Sequence, residues 1–439
     1  MATQLYFSRD TKCYIEFKDV VWEMPILDGY SFSQSNNTSE ISLSEMESSG
    51  GVSRRGRRAF NDSLSAGEWS FSTYVRPFTS VGSGTAASPA DQSGKADAAA
   101  EVHAVEEVLW AMMAAADTYA SNAFTRTSNP VSGPVITPAA SSSGITFAES
   151  NRSTFQTANI YFVLGDANRT VIKLKDAIVN EASIDFEIDG IATINWSGQC
   201  SEVLDFSGST IEDTAIPVDT DVTRDSTGSS DRVAVGDVWL ESDNDYKLYV
   251  ITAINSGAAC SHTTYVNEQI LATDNFIRNR LTQLSINGAG TTGLLSGADA
   301  YSLTLTGGNI TISNNVTYIT PEELGVVNVP IGHVTGGRAV SGSFTCYLAL
   351  DSTAMDGTGT LSRDFFEDVR NLTGTVTNSV DLTFKIGGGD GRRLELNFPT
   401  AHVEIPTHSI EDVISLETNF MALPSTIDGT NEVSITYKV

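Results

Sequence analysis

Apolar and polar residues alternate with a period of two through most of the chain: KCYIEF, SFSQS, SEISLSEM, SIDFEIDGIATINWSG, YSLTLTGGNITIS, VDLTFKIGG, RLELNF and DVISLETNF. Successive side chains of a strand point to opposite faces, so this pattern predicts half-buried strands and a mainly antiparallel β protein. Two stretches depart from it. In AEVHAVEEVLWAMMAAADTYA, Val102, Val105, Leu109, Met112 and Ala116 recur at helical spacing with Glu101 in the first turn, which predicts a helix. SRDFFEDVRNL predicts a shorter one with Ser362 as N-cap. Both lie between strand blocks, where a helix would cover one face of a sheet.

The strand pattern is written twice. GEWSFSTYVRPF is echoed by SGSFTCYLALD, with Phe and Tyr three apart in each. SFSQSNNTSEISLSEM (31–46) aligns with NITISNNVTYITPEEL (309–324), YFVLGD with TFKIGG, and FEIDGIATINWSG with HSIEDVISLETNF. Self-similarity in the same order at this length predicts a duplication. The expected domains are 1–205 and 273–439, separated at 206–272 by an acidic linker and a small β insertion whose strands turn at an Asp-Asn-Asp sequence. Segments rich in small and turn-forming residues bracket the first helix and read as loops.

At 439 residues the chain exceeds one ordinary core, in keeping with two domains. Its 26 Lys plus Arg against 54 Asp plus Glu leave a formal charge of -28, which excludes gripping nucleic acid over a broad surface. The N-terminal residues lack a signal-peptide pattern and no run approaches the roughly 20 apolar residues of a membrane span, so the expected location is the cytoplasm where the chain is made, with no membrane partner. Cys13, Cys200, Cys260 and Cys346 are far apart with no CxxC, which reads as buried thiols.

No motif assembles an active site. The five histidines, His103, His262, His333, His402 and His408, show no metal-ligand spacing and read as structural. KIGGGDGRRLEL lacks the GK[ST] ending of a phosphate loop and sits between alternating strands, so it reads as a glycine-rich hairpin turn. DTDVTRDSTGSSD shares only acidity with a calcium loop. Asp185 and Asp189 could present a hydrolytic carboxylate pair, but the same spacing is ordinary solvent-facing polarity. The expectation is no enzyme, no cofactor and no metal. Against the acidic trend stands SRRGRRAF, with Arg54, Arg55, Arg57 and Arg58. This reads either as a solvated loop or as a basic contact that docks on an acidic face of another copy.

TKCYIEFKDVVWEMPILDGYSFSQSNN, EWSFSTYVRP, SIDFEIDGIATINWSG, NITISNNVTYITPEELG and SFTCYLAL together resemble the tail tube proteins of tailed bacteriophages over about four-fifths of the chain. The resemblance implies two tandem tail-tube β-sandwich or rolled-sheet domains, each with a flanking helix, that assemble into an inter-subunit β-barrel. Such rings stack into a tube that delivers the genome, in the virion tail, after assembly in the host cytoplasm. Ordinary tube proteins carry one such domain and form hexamers; a doubled chain implies a homotrimer with pseudo-sixfold symmetry, a homohexamer being the alternative. Other implied partners are tape-measure, terminator and sheath proteins, with double-stranded DNA in unspecific transit past an acidic wall. By the same resemblance, Ser31, Ser33, Glu40, Ser42, Ser70, Ser72, Thr311, Ser313, Ser343 and Thr345 are candidates for the lumen-lining strands. The Arg54–Arg58 loop becomes a candidate inter-ring or inter-subunit contact, and the insertion is expected outside the tube. A competing reading, a secreted carbohydrate-binding β-sandwich, would explain the Ser/Thr/Asn-rich strands but calls for a signal peptide and clustered exposed aromatics.

Overall fold

The computed structural model describes residues 5–17, 20–40, 59–79, 101–114, 136–147, 155–166, 169–218, 232–243, 245–267, 275–288, 301–303, 305–324, 327–348, 365–366, 369–370, 379–410, 412–427 and 429–439. The chain is mainly β, as its alternation predicts, and its sheets do not close into a barrel within the chain.

One strand organises the first half. Thr170–Glu187 spans 18 residues, too long for a single flat sheet. Its first part pairs with Ala158–Leu164 and Glu202–Asp205, and its second part with Thr193–Cys200. Between them the strand turns from one sheet to another at two irregularities. Asp176 takes a positive φ of 50, held by the Asn159 carboxamide and the Ser201 hydroxyl, and a bulge follows between Val179 and Glu181. Extra residues on one strand are the standard means of bending a sheet. The first sheet runs Thr264–Asn267, Val20–Met24, Thr11–Phe17, Ala158–Leu164, Thr170–Glu187, Glu202–Asp205.

The second sheet runs through both halves of the chain. Its order is Ser31–Ser33, Gly67–Tyr74, Thr193–Cys200, Thr170–Glu187, Leu305–Ser313, Ala339–Tyr347, Ile414–Ala422 and Thr407–Ile410. At its centre Glu181–Glu187 pair antiparallel with Gly307–Ser313.

The pairings of the first half recur in the second. Ser31 faces Ser70 and Ser70 faces Ser197; Asn309 faces Ser343 and Ser343 faces Asn419. Phe162 faces Ile172 just as Phe384 faces Leu396. Even the close packing recurs with its partners exchanged. A Cβ on Gly198 would meet the Trp69 ring at 2.5 Å, and one on Gly342 the Phe420 ring at 2.7 Å. In each pair an aromatic lies across the bare backbone of its cross-strand neighbour, so a methyl group there would force the strands apart.

Both halves share one core. Half-one strands Ile136–Pro138 and Ser142–Thr146 extend the half-two sheet beyond Ser434–Lys438. The helix Glu107–Met113 lies against this junction, and all seven of its residues are buried. Here the sequence expectation is corrected: Val102–Ala104 is a strand paired with Pro77–Thr79, and Glu101 and Val105 are not helical. β-Branched Val102 suits an extended backbone, and a partner strand outweighs weak helical propensity. Residues 365–366 and 369–370 are helical; Ala116 and Ser362 lie outside the described residues. The glycine-rich stretch is a hairpin turn, with Gly387, Gly388 and Gly391 at positive φ.

The segment after 206 builds a four-stranded sheet from Thr210–Asp213, Val238–Glu241, Lys247–Ala253 and Ser261–His262. It buries Val238, Leu240, Leu248 and Val250 against Tyr14, Val21, Tyr161 and Val163, which explains why the strand Thr11–Phe17 is buried on both faces. Lys12 Nζ donates to Asp245 at 2.8 Å and Tyr14 to the Tyr246 carbonyl at 2.9 Å.

The junction of the halves holds a buried polar chain. Trp110 Nε1 donates to the Tyr437 hydroxyl at 2.7 Å, and that hydroxyl donates to Glu106 at 2.6 Å. Trp110 also meets Trp196 edge to face at 4.8 Å between centroids. Burial pushes the Glu106 carboxyl up to about 7, against the opposing pull of the Tyr437 hydrogen bond and of Arg76. Replacing Tyr437 by Phe strands the Trp110 N–H and a Glu106 oxygen, and should cost about 1–3 kcal/mol in denaturant titration. Because the folded state holds the Glu106 proton more tightly than the unfolded state, its contribution to stability is present below pH 4.5 and is lost as pH rises to about 7. Urea midpoints at pH 5 and pH 7.5 should therefore fall less with rising pH in Glu106→Gln than in the parent chain; equal falls would contradict this assignment.

Candidate functional site

The eight-stranded sheet has one face on the core and one open to solvent, and the open face is mostly polar, with Met421 and Tyr347 as exposed apolar side chains towards one end. Along Gly67–Tyr74 the burial pattern alternates strictly, with Trp69, Phe71 and Thr73 inward and Glu68, Ser70, Ser72 and Tyr74 outward. Period two puts Thr193, Asn195, Ser197 and Gln199 of the next strand on the same outer face, followed by Glu181, Ser183, Asp185 and Glu187. Across the central seam come Asn309, Thr311 and Ser313, then Ser341, Ser343 and Thr345, then Ser415, Glu417 and Asn419. Carboxylates occur at Glu68, Glu181, Asp185, Glu187 and Glu417, and among the described residues no outward position of the eight-stranded sheet carries Lys or Arg; Lys175, on the same long strand, belongs to its first-sheet part.

Hydrogen bonds between side chains run across this face and cross the seam. Ser31 meets Ser70 at 2.9 Å, Ser72 donates to Asn195 at 2.6 Å, and the Asn195 amide donates to Asp185 at 3.0 Å. From the other half, Asn309 donates to Asp185 and to Ser183, the latter at 2.9 Å. Asp185 thus accepts from both halves, while Asp189 lies in the following turn, 3.5 Å from Arg280. The two aspartates do different things and form no hydrolytic pair. Among the described residues no group of three or more His, Cys, Asp and Glu could hold a metal. All four cysteines are free and buried, and burial pushes the Cys200 and Cys346 thiols up to about 12, which leaves them inert at neutral pH. No helix of the described residues is long and apolar enough to cross a membrane.

Eight of the residues singled out from sequence share this face: Ser31, Ser33, Ser70, Ser72, Thr311, Ser313, Ser343 and Thr345. Glu40 does not. It ends the strand Asn36–Glu40, which pairs with Ala59–Leu64 in a separate two-stranded hairpin. Ser42 and Arg54, Arg55, Arg57 and Arg58 fall in the connection between those two strands, outside the described residues. The sequence reading did not name Asn195, Ser183, Asn309 or Asn419 and took Asp185 only as a possible hydrolytic carboxylate, although the same alternation in SIDFEIDG, TINWSG, NITIS and SLETNF carried the signal.

A second surface is apolar. The hairpin Val316–Ile319 with Gly332–Thr335 lies beside the hairpin bearing Glu40, joined where Ser63 bridges to Asn328. Ile319, Leu324, Val327, Ile331 and, on the neighbouring hairpin, Phe60 are exposed there.

No protein-family model matches the chain. It is similar to tail tube protein pb6 of Escherichia phage T5, 25% identical over 413 residues, which cover 93% of this chain and 69% of that protein. That relative is named as a component of a tail and not as an enzyme, in agreement with the absence of a catalytic motif in the sequence. The match runs through both halves and the segment between them, and it bears out the resemblance drawn from the strand phrases: this chain is a homologue of a phage tail tube protein.

Proposed function

We propose that the protein is a structural virion protein whose stacked rings form a phage tail tube, a negatively charged conduit for genome delivery. The observation that carries this reading is the continuous eight-stranded sheet, which among the described residues has no Lys or Arg on its open face and ends on each side in a strand paired along one edge. Exposed edges of this kind are a liability in a monomer and are removed by closing a barrel across subunits.

Geometry favours three chains. Three sheets of eight strands give twenty-four around one barrel; at a spacing of roughly 4.8 Å and a tilt of about 40° the backbone diameter is about 48 Å. Side chains extending about 5 Å from the wall leave a bore of about 38 Å, wide enough for a DNA duplex of about 20 Å to pass without touching the wall. Six chains would double the diameter. The recurring pairings support a duplication with tube domains at 1–205 and 273–439, so that three chains fill six equivalent places. The insertion at 206–272 packs on the first sheet, away from the open polar face, in keeping with a position outside the tube. The apolar hairpin surface suits contacts between rings, a role also proposed from sequence for Arg54, Arg55, Arg57 and Arg58, with tape-measure and terminator proteins at the tube ends.

An acidic wall repels phosphates and so removes the salt-dependent attraction that would stall a duplex. Scanning transmission imaging of assembled tubes should give three chains of 46.8 kDa, about 140 kDa, per ring; a chain that forms neither rings nor rods with its tail partners would overturn the reading. In tubes carrying Glu68→Lys and Glu187→Lys, short duplex DNA should be retained at low salt and released at high salt, whereas parent tubes should retain none at either.

A further inference from the structure

The chain contains its own template for the contact between copies. Inside the chain the seam sets Ser183 opposite Thr311, Ile184 opposite Ile310 and Asp185 opposite Asn309. Each strand of that seam has a counterpart at a free edge. Ser183 faces Asn195, which faces Ser72; Thr407 faces Glu417, which faces Thr345. Ser72 and Thr345 hold matching places in SFSTY and SFTCY, so Thr407 stands where Ser183 stands. On the other strand, Asn309 faces Ser343 as Ser31 faces Ser70, and SNN follows each four residues later. Ser31 therefore stands where Asn309 stands.

We propose that Thr407–Ile410 of one chain pairs antiparallel with Ser31–Ser33 of a second copy in the register of the internal seam: Thr407 opposite Ser33, His408 opposite Phe32, Ser409 opposite Ser31. This rests on the tube reading above and adds which edges meet and in which register. Every residue of Thr407–Ile410 is exposed, and neither edge strand carries the proline or lysine that commonly blunts a free edge. Ile410 is 78% exposed, while its seam counterpart Phe186 is 2% exposed. Volumes also balance. Phe186 lies over Gly308 in the seam; in the second contact the smaller Ile410 meets the larger Tyr30. The contact joins two different surfaces head to tail, so it closes a ring when the rotation it shares with the seam divides a full turn.

The test is a cysteine pair, Ser31→Cys with Ser409→Cys, in tubes assembled, oxidised and dissolved in detergent without reductant. Opposed residues in antiparallel strands lie about 4.5–5.5 Å apart at Cα, within the span of a disulfide. Expected are covalent dimers that convert to closed trimers, at least tenfold more than from Ser33→Cys with Ser409→Cys, which is two residues out of register. Thr407→Cys with Ser33→Cys is a second in-register pair, should the first impair assembly. Tubes that form but cross-link from neither in-register pair, or better from the shifted pair, overturn the register and leave the tube reading standing. If the unsubstituted chain forms no tubes, the tube reading and this contact both fail.

Discussion

An unpaired strand edge exposes a row of backbone donors and acceptors, and the satisfaction of those groups organises this protein. Pairing residues 181–187 with 307–313 removes two edges and turns two four-stranded units into one sheet. Other features depend on that joint. Asp185 can accept from Asn195 and Asn309 only because the seam brings their strands to either side of it. Gly308 must be bare because Phe186 lies across it, where a Cβ would stand 2.5 Å from the ring. The interlock of Ser142–Thr146 with Ser434–Lys438, and the Trp110–Tyr437–Glu106 chain beneath it, fix the second point of attachment between the halves.

Two faces of one sheet then serve two ends. The inward face holds Trp69, Trp196, Phe344 and Phe420 in a continuous core, whose burial supplies the main driving force for folding. The outward face has no apolar cover and keeps its shape through cross-strand hydrogen bonds among Ser, Asn, Thr and Asp. Most of its side chains are short and uncharged, and the charged ones described are carboxylates.

Much of the architecture was legible in the sequence because it is local. Period-two alternation marks strands without reference to partners, and the repeated phrases mark equivalent positions, so Ser31, Ser70, Thr311 and Ser343 could be placed on one face in advance. Glu40 followed the same alternation but lies in a hairpin that leaves the sheet, a bend that periodicity does not register. The helix start was misplaced because Val102 and Val105 fit a helical stripe and a short strand equally well; the partner strand Pro77–Thr79 decided it. The helix that does form is buried all round, so an amphipathic stripe was never its defining signal. The role of Asp185 depends on strands more than a hundred residues apart in sequence, and spacing along the chain carries no trace of it.

The central claim is that one chain is a third of a closed barrel. A helical reconstruction of assembled tubes by electron cryomicroscopy tests it most directly. The account predicts threefold rings with twenty-four strands around the bore and Asp185 facing the lumen. Rings of six chains, or a polar face turned to the outside of the tube, would contradict it.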